Sequence, residues 1–329
     1  MPSANVNWSL PLTRENALYP GQYGVPGAWT ETGLRQHCTG AIFYVDPNNT
    51  DANDNRDGTD PTAPLATVAT AITKCQAYRG DVIAVMANNA WGYNDATQGY
   101  GTAVQECVTV NTPGVRIVGV CPSGALGVPW TPATADGVCI TVYQPDVLIE
   151  GFCFMGNGGG TGIYAEYSTR YGDNLTVRHC FFDDAMDEGV QLEYSWYADI
   201  HHNLFDECDS YGVYTANVGG NDPAYARVHH NWFYDIGTGG AIWLTDADRC
   251  HIYENYIYNN DAASGAAGTT ANCMINLTAG SRNLVHHNTL SCVLPAGVAW
   301  DYDACNTAGT ADSWNQNYLM DGVSVTNPT

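Results

Sequence analysis

From about residue 149 onward the chain repeats one short phrase: TVRHCFF, DIHHNLF, RVHHNWF, HIYENYI and LVHHNTL. Anchored on Val177, Ile200, Val228, Ile252 and Val285, with a looser copy at Ile149, the phrase returns every 23 to 33 residues. Five residues after each full anchor stands a second apolar side chain: Phe182, Phe205, Phe233, Ile257 and Leu290. A second phrase, Gly-apolar-x-apolar, interleaves with the first as GIYA, GVQL, GVYT, AIWL, MINL and GVAW. Its inward anchors are Ile163, Val190, Val213, Ile242, Ile275 and Val298. The alternation has a period of two, as a strand with one buried face requires. Two short strands per repeat, separated by Gly, Asn and Asp, fit one turn of a solenoid. Neighbouring turns then share a continuous core. Uneven spacing is tolerated because insertions enter at the loops between strands.

Three residues after the anchors come Cys180, Asn203, Asn231, Asn255 and Asn288. An asparagine at a tight bend tolerates left-handed backbone geometry. Its amide can also bond the equivalent amide one coil away, about 4.8 Å distant. A structural ladder over these five positions is therefore expected, satisfying polar groups that a buried turn would strand. With this ladder the chain resembles the pectin-lyase-like superfamily of right-handed parallel β-helices, which carry asparagine ladders at such a bend. The N-terminal part agrees: AIFYVDPNN, then RDGTDPTAPLATVATAI, then GDVIAVM. That succession resembles the first strand, Asx/Gly loop and capping helix with which many β-helices open. Leu65, Val68, Ala69, Ile72 and Cys75 fall on one helical face, which would cover the open end of the stack.

The expected fold class is all-β: a parallel β-helix over residues 41–303, with a capping helix near 64–78. Residues 1–40, rich in Pro, Gly and aromatics with little periodicity, read as an irregular N-terminal arm, either docking elsewhere or lying on the helix's own side. Residues 304–329 read as a C-terminal cap or extension.

Composition narrows the partners. Asp and Glu outnumber Lys and Arg 34 to 11, a formal charge of −23. Nucleic acid and anionic membrane surfaces are disfavoured by that charge. No apolar run approaches the roughly 20 residues of a membrane span, and the first residues lack the pattern of a secretory signal. The twelve cysteines include no CxxC pair. Buried free thiols are the expectation over a disulfide framework.

Candidate chemistry follows from stacking, because equivalent positions one coil apart become neighbours. The outward column of the second phrase runs Tyr164, Gln191, Tyr214, Trp243, Asn276 and Ala299, making Tyr164, Tyr214 and Trp243 candidate carbohydrate-binding residues. Two residues on, the column contains Glu166, Glu193 and Asp301. Two carboxylates about 5 Å apart would suit retaining glycoside hydrolysis, so these three are the candidate catalytic residues of an enzyme reading. The plainer reading is that acids and aromatics cover an exposed sheet. Paired histidines at His201–His202, His229–His230 and His286–His287, with His179, could converge on a metal but more simply fill the bend. No cofactor is expected. Calcium at Asn53, Asn55 and Asp57 is the one candidate, in a loop without the usual closing Glu. Against the resemblance, the lyase signature of clustered Asp with a basic arginine or lysine is missing, and of the hydrolase motifs only Asp183-Asp184 is present. No catalytic residues carry over. The expected function is therefore a virion structural protein of a tailed phage, a capsid decoration or tail-spike-like β-helix. It would attach to capsid or tail proteins through residues 1–40, form a homo-oligomer with a trimer favoured, and engage glycans. The alternative is an extracellular polysaccharide lyase or glycoside hydrolase.

Overall fold

In the computed structural model the chain is a right-handed parallel β-helix, with residues 39–86, 104–120, 127–166, 172–183, 186–215, 223–237, 239–259, 274–278, 280–292 and 311–319 described. The arm (all but its last two residues), Ala299 and Asp301 lie outside these residues. The strands form three parallel sheets of ten, seven and nine members, and in each sheet neighbours are successive coils of the chain. The first sheet begins at Ile42–Val45 and ends at Ser313–Asn315. Its register stacks Val177, Ile200, Val228, Ile252, Val285 and Trp314 in one column. The second sheet runs from Val108–Val110 to Ile275–Thr278, and the third from Val104–Gln105 to Tyr318–Leu319.

Each complete coil thus holds three strands, where the sequence suggested two. The recurring phrase is itself two strands: Thr176–Arg178 lies in the first sheet and Phe181–Phe182 in the third. A bend at His179 and Cys180 turns the chain between them. The residue in left-handed geometry is not the asparagine but the one before it: His179, His202, His230, Glu254, His287 and Gln316 have φ of 51–56°. The asparagines are selected by their side chains instead.

Those side chains form a continuous ladder. The Asn203 Nδ2 donates to Asn231 Oδ1 at 3.0 Å, Asn231 to Asn255 at 3.1 Å, Asn255 to Asn288 at 2.9 Å and Asn288 to Asn317 at 3.0 Å. The other Nδ2 hydrogen goes to an anchor carbonyl one coil back, as from Asn231 to Ile200 at 2.9 Å. Cys180 heads the row, its backbone N–H donating to Asn203 Oδ1 at 3.0 Å. Each amide is nearly or fully buried, so the ladder meets hydrogen-bonding demands that water cannot reach. Asn317 adds a rung, and strands Ser313–Asn315 and Tyr318–Leu319 carry the stack past residue 303. A second, shorter ladder lies two residues before the anchors: the Cys250 and Asn283 backbone N–H groups donate to Asn283 and Asp312 oxygens, each at 2.8 Å.

Apolar stacking fills the rest. Phe154, Phe182, Phe205 and Phe233 form one ring column with centroids 5.1, 4.6 and 4.6 Å apart. The glycine of the second phrase makes room for it. A Cβ on Gly162, Gly189 or Gly212 would lie within 2.8 Å of the Phe182, Phe205 or Phe233 ring. In the next coil Ala241 replaces glycine, and the ring column passes to the narrower Ile257. The N-terminal end is closed by helix Val68–Lys74, packed on the first strands of the first two sheets. Thr67 caps it, and the Glu106 carboxylate accepts from the Val68 and Ala69 backbone N–H groups at 2.9 Å each, placing negative charge at the helix N-terminus. The face toward the stack is Val68, Ala71 and Ile72, with Leu65 just before; Ala69, expected on that face, points to solvent.

Candidate functional site

The second sheet presents the chemically richest lateral face. Its register stacks Thr141, Tyr164, Gln191, Tyr214, Trp243 and Asn276 in one outward column. Glu166 and Glu193 follow two residues after Tyr164 and Gln191. The Glu193 N–H donates to Ala165 and the Glu166 N–H to Val142, which continues the parallel ladder and sets the two glutamates on adjacent coils. Phenols stand beside both carboxylates, Tyr143 near Glu166 and Tyr164 near Glu193. Gln191 Nε2 adds a bond to Glu193 Oε1 at 3.2 Å. Glu193 is almost buried, at 8% exposure, so it is a fixed acceptor rather than a free surface charge. The neighbouring Glu166 raises the Tyr143 pKa, while burial and then Glu193 raise that of Tyr164, so both phenols stay protonated.

A third column escaped the sequence reading. Thr161, Glu188 and Tyr211 stack in register, and Thr161 Oγ1 donates to Glu188 Oε2 at 2.9 Å. The strands Glu188–Leu192 and Tyr211–Thr215 do not alternate strictly: Gly189 and Val190, like Gly212 and Val213, are consecutive buried positions. A period-two count outward from Gln191 lands on Gly189 and passes over Glu188. Burial pushes the Glu188 carboxyl pKa up, with Asp187 adding to the rise and Thr161 opposing it. Below it, the Tyr211 ring stacks on Tyr214 at 4.2 Å and meets Trp243 nearly edge-on at 5.6 Å and 76°. Trp243 Nε1 donates to Thr245 Oγ1 at 3.2 Å. The face therefore carries the Glu166 and Glu193 carboxylates at one end and a three-ring cluster under Glu188 at the other.

The histidines lie on the first sheet. His201 stacks on His229 at 5.0 Å and 3°, His229 on Tyr253 at 4.6 Å, and Tyr253 on His286 at 5.4 Å. Beside them His202 stacks on His230 at 4.9 Å. Within each pair the two Nδ1 atoms share a hydrogen bond of 2.6–2.8 Å, so the ring nitrogens face each other. Asp199 Oδ1 accepts from His229 Nε2 at 2.9 Å and Asp199 Oδ2 pairs with Arg227 at 2.6 Å. Burial, ahead of neighbouring positive charge, pushes His179 down to about 2 and His202 to about 4. Burial also takes His201 to about 3, against the pull of Asp199. Stacked imidazoles fill this bend. Among the described residues no three His, Cys, Asp or Glu side chains converge as metal ligands.

The proposed calcium loop is built of Asx turns. Asn53 Oδ1 accepts from the Asn55 backbone at 2.9 Å, and Asp57 Oδ1 from the Thr59 backbone at 3.1 Å. Cys153, Cys180, Cys208 and Cys250 are buried free thiols, with burial raising all four pKa values.

Residues 133–290 match the family model described as a right handed beta helix region. No curated protein matches the chain by sequence. Among solved structures, the pectin methylesterase from Aspergillus niger aligns with TM-score 0.48 and 12% identity over 89% of this chain and 91% of that one. The Dettilon tailspike protein aligns with TM-score 0.34 and 13% identity over 89% and 70%. A pectate lyase aligns with TM-score 0.37 and 11% identity over 85% and 78%. The matched region, three in-register parallel sheets and the asparagine ladder make this chain a right-handed parallel β-helix.

Proposed function

We propose that this β-helix is a non-enzymatic recognition protein of a tailed-phage particle, a capsid decoration or tail-spike-like component. Residues 1–40 attach it to capsid or tail proteins, and the second-sheet face engages glycans. The observation that supports recognition is the state of the Glu166 and Glu193 carboxylates. The two stand on adjacent coils of a face that also carries aromatic rings, an arrangement suited to accepting hydroxyl hydrogens from a sugar while rings cover its apolar faces. Self-association as a trimer belongs to the same reading. Trp232, Tyr234 and Tyr318, exposed on the third sheet, offer the surface it would use. Deleting residues 1–40 is expected to leave a folded β-helix that no longer binds its particle; docking by the truncated chain would refute the arm's role.

An extracellular lyase or hydrolase is the second reading, favoured by the placement of Glu166 and Glu193 on adjacent coils. It predicts new unsaturated or reducing ends from polysaccharide substrates, lost in Glu193→Gln. Such products would displace the non-enzymatic proposal.

A further inference from the structure

We propose that the ligand of the second-sheet face is an uncharged glycan, one without carboxylate or sulfate groups; this rests on the glycan-binding reading above. The argument is the distribution of charge around the prism. Among the described residues no lysine or arginine lies in any strand of the second sheet. The described guanidinium groups in ion pairs sit elsewhere. Arg178 pairs with Glu150 at 2.6 Å and Arg227 with Asp199 at 2.6 Å on the first sheet. Arg79 pairs with Asp81 just before a first-sheet strand. Arg249 stands at the bend preceding another, its guanidinium 5.5 Å from the Tyr225 ring centroid.

Among the described residues the strands of this face and the residues just after them hold only the opposite sign: Glu166 on one coil and Glu188 with the nearly buried Glu193 on the next, with Asp187 at the margin. Its donors are phenols, an indole, threonine hydroxyls and the Gln191 amide, and several are already spent on those carboxylates. A polymer carrying its own anions would set them against glutamates with no guanidinium or ammonium in the described strands of the sheet to neutralise them, which is unfavourable at contact distance. Anionic sugars are normally gripped by arginine forks, and the described strands of this sheet offer none. A neutral sugar meets no such obstacle. Its hydroxyls donate to the fixed carboxylates, and its C–H faces lie against Tyr211, Tyr214 and Trp243, whose T-shaped contact turns the indole plane across the tyrosine stack.

The test is binding of the full chain to a glycan array holding neutral oligosaccharides and uronate- or sulfate-bearing ones, repeated in solution by calorimetry at low and physiological salt. Retention of neutral glycans alone is expected, with affinity falling about tenfold or more in Trp243→Ala and Tyr214→Ala. Glu166→Gln combined with Glu188→Gln should raise the affinity for acidic glycans relative to neutral ones, since it removes the repulsion. Circular dichroism confirms that each variant is folded. Preference for acidic glycans, lost in Trp243→Ala, would overturn the inference and keep the glycan-binding face. No glycan binding by the folded chain, or binding indifferent to Trp243→Ala and Tyr214→Ala, would overturn both.

Discussion

Replacing Asn231 by alanine tests the ladder at its centre. Asn231 takes part in four side-chain bonds that the substitution removes. Its Oδ1 accepts from the Asn203 backbone N–H and Asn203 Nδ2, each at 3.0 Å, and its Nδ2 donates to Ile200 O at 2.9 Å and Asn255 Oδ1 at 3.1 Å. Asn255 Oδ1 keeps the Asn231 backbone N–H at 3.1 Å, so it is not orphaned. The two Asn203 donors are, in a residue only 2% exposed. A buried donor left unmade costs about 1–3 kcal/mol. Two of them, partly relieved by relaxation around the smaller side chain, give an expected loss of about 2–4 kcal/mol. Urea unfolding followed by tryptophan fluorescence measures the total. Because solenoid coils can open separately, hydrogen exchange at the Asn203 amide should report the local opening even if the global transition splits. A loss under about 1 kcal/mol, with Asn203 exchange unchanged, would refute the claim that the ladder meets an obligatory demand.

Three further outcomes follow from the packing. Gly189→Ala places a methyl 2.6 Å from the Phe205 ring, so a loss of about 1–3 kcal/mol is expected in thermal unfolding; Phe205→Leu in the same chain should recover part of it. His179, His201 and His202 have folded-state pKa values of about 2, 3 and 4, below the unfolded value near 6.5. The unfolded chain therefore takes up protons first on acidification, and stability present above about pH 6.5 is lost as pH falls toward 4. Urea midpoints across that range should show the decline, and His201→Asn should flatten it. Trp232→Ser, at a position 61% exposed, should leave the coil folded and lower the mass seen in sedimentation if the third sheet is where copies meet; an unchanged trimer would exclude that face.

The anchors and the asparagine row were legible because both recur at fixed offsets, and the core and the ladder impose those offsets directly. The third strand was not, since the bend at His179, His202 and His230 is only two residues wide and leaves no break in the phrase. Left-handed geometry falls on a different residue from the one the repeat suggests, for a related reason. Asparagine is the familiar occupant of that region, yet here its neighbour adopts it and asparagine is kept for its amide. Glu188 and Tyr211 were missed because consecutive inward positions at Gly189–Val190 and Gly212–Val213 shift the alternation that the eye follows. Ala69 was placed inward by a face count that the actual roll of the helix, set by Ala71, contradicts. The rung at Asn317 was readable in SWNQNYL, where Asn again stands three residues after an inward anchor, Trp314. The columns Tyr164–Tyr214–Trp243 and Glu166–Glu193 follow from register alone. The bond from Gln191 to Glu193 does not, because which side chain reaches which carboxylate depends on rotamers.

The carboxamides from Asn203 to Asn317 all point the same way, oxygen toward the earlier coil and nitrogen toward the later one. Such a row has a direction. A coil arriving upside down, or shifted by a single residue, would meet oxygen with oxygen or leave the row altogether, so it cannot settle as a near miss. The growing stack thereby checks the polarity of each added turn against the one already in place.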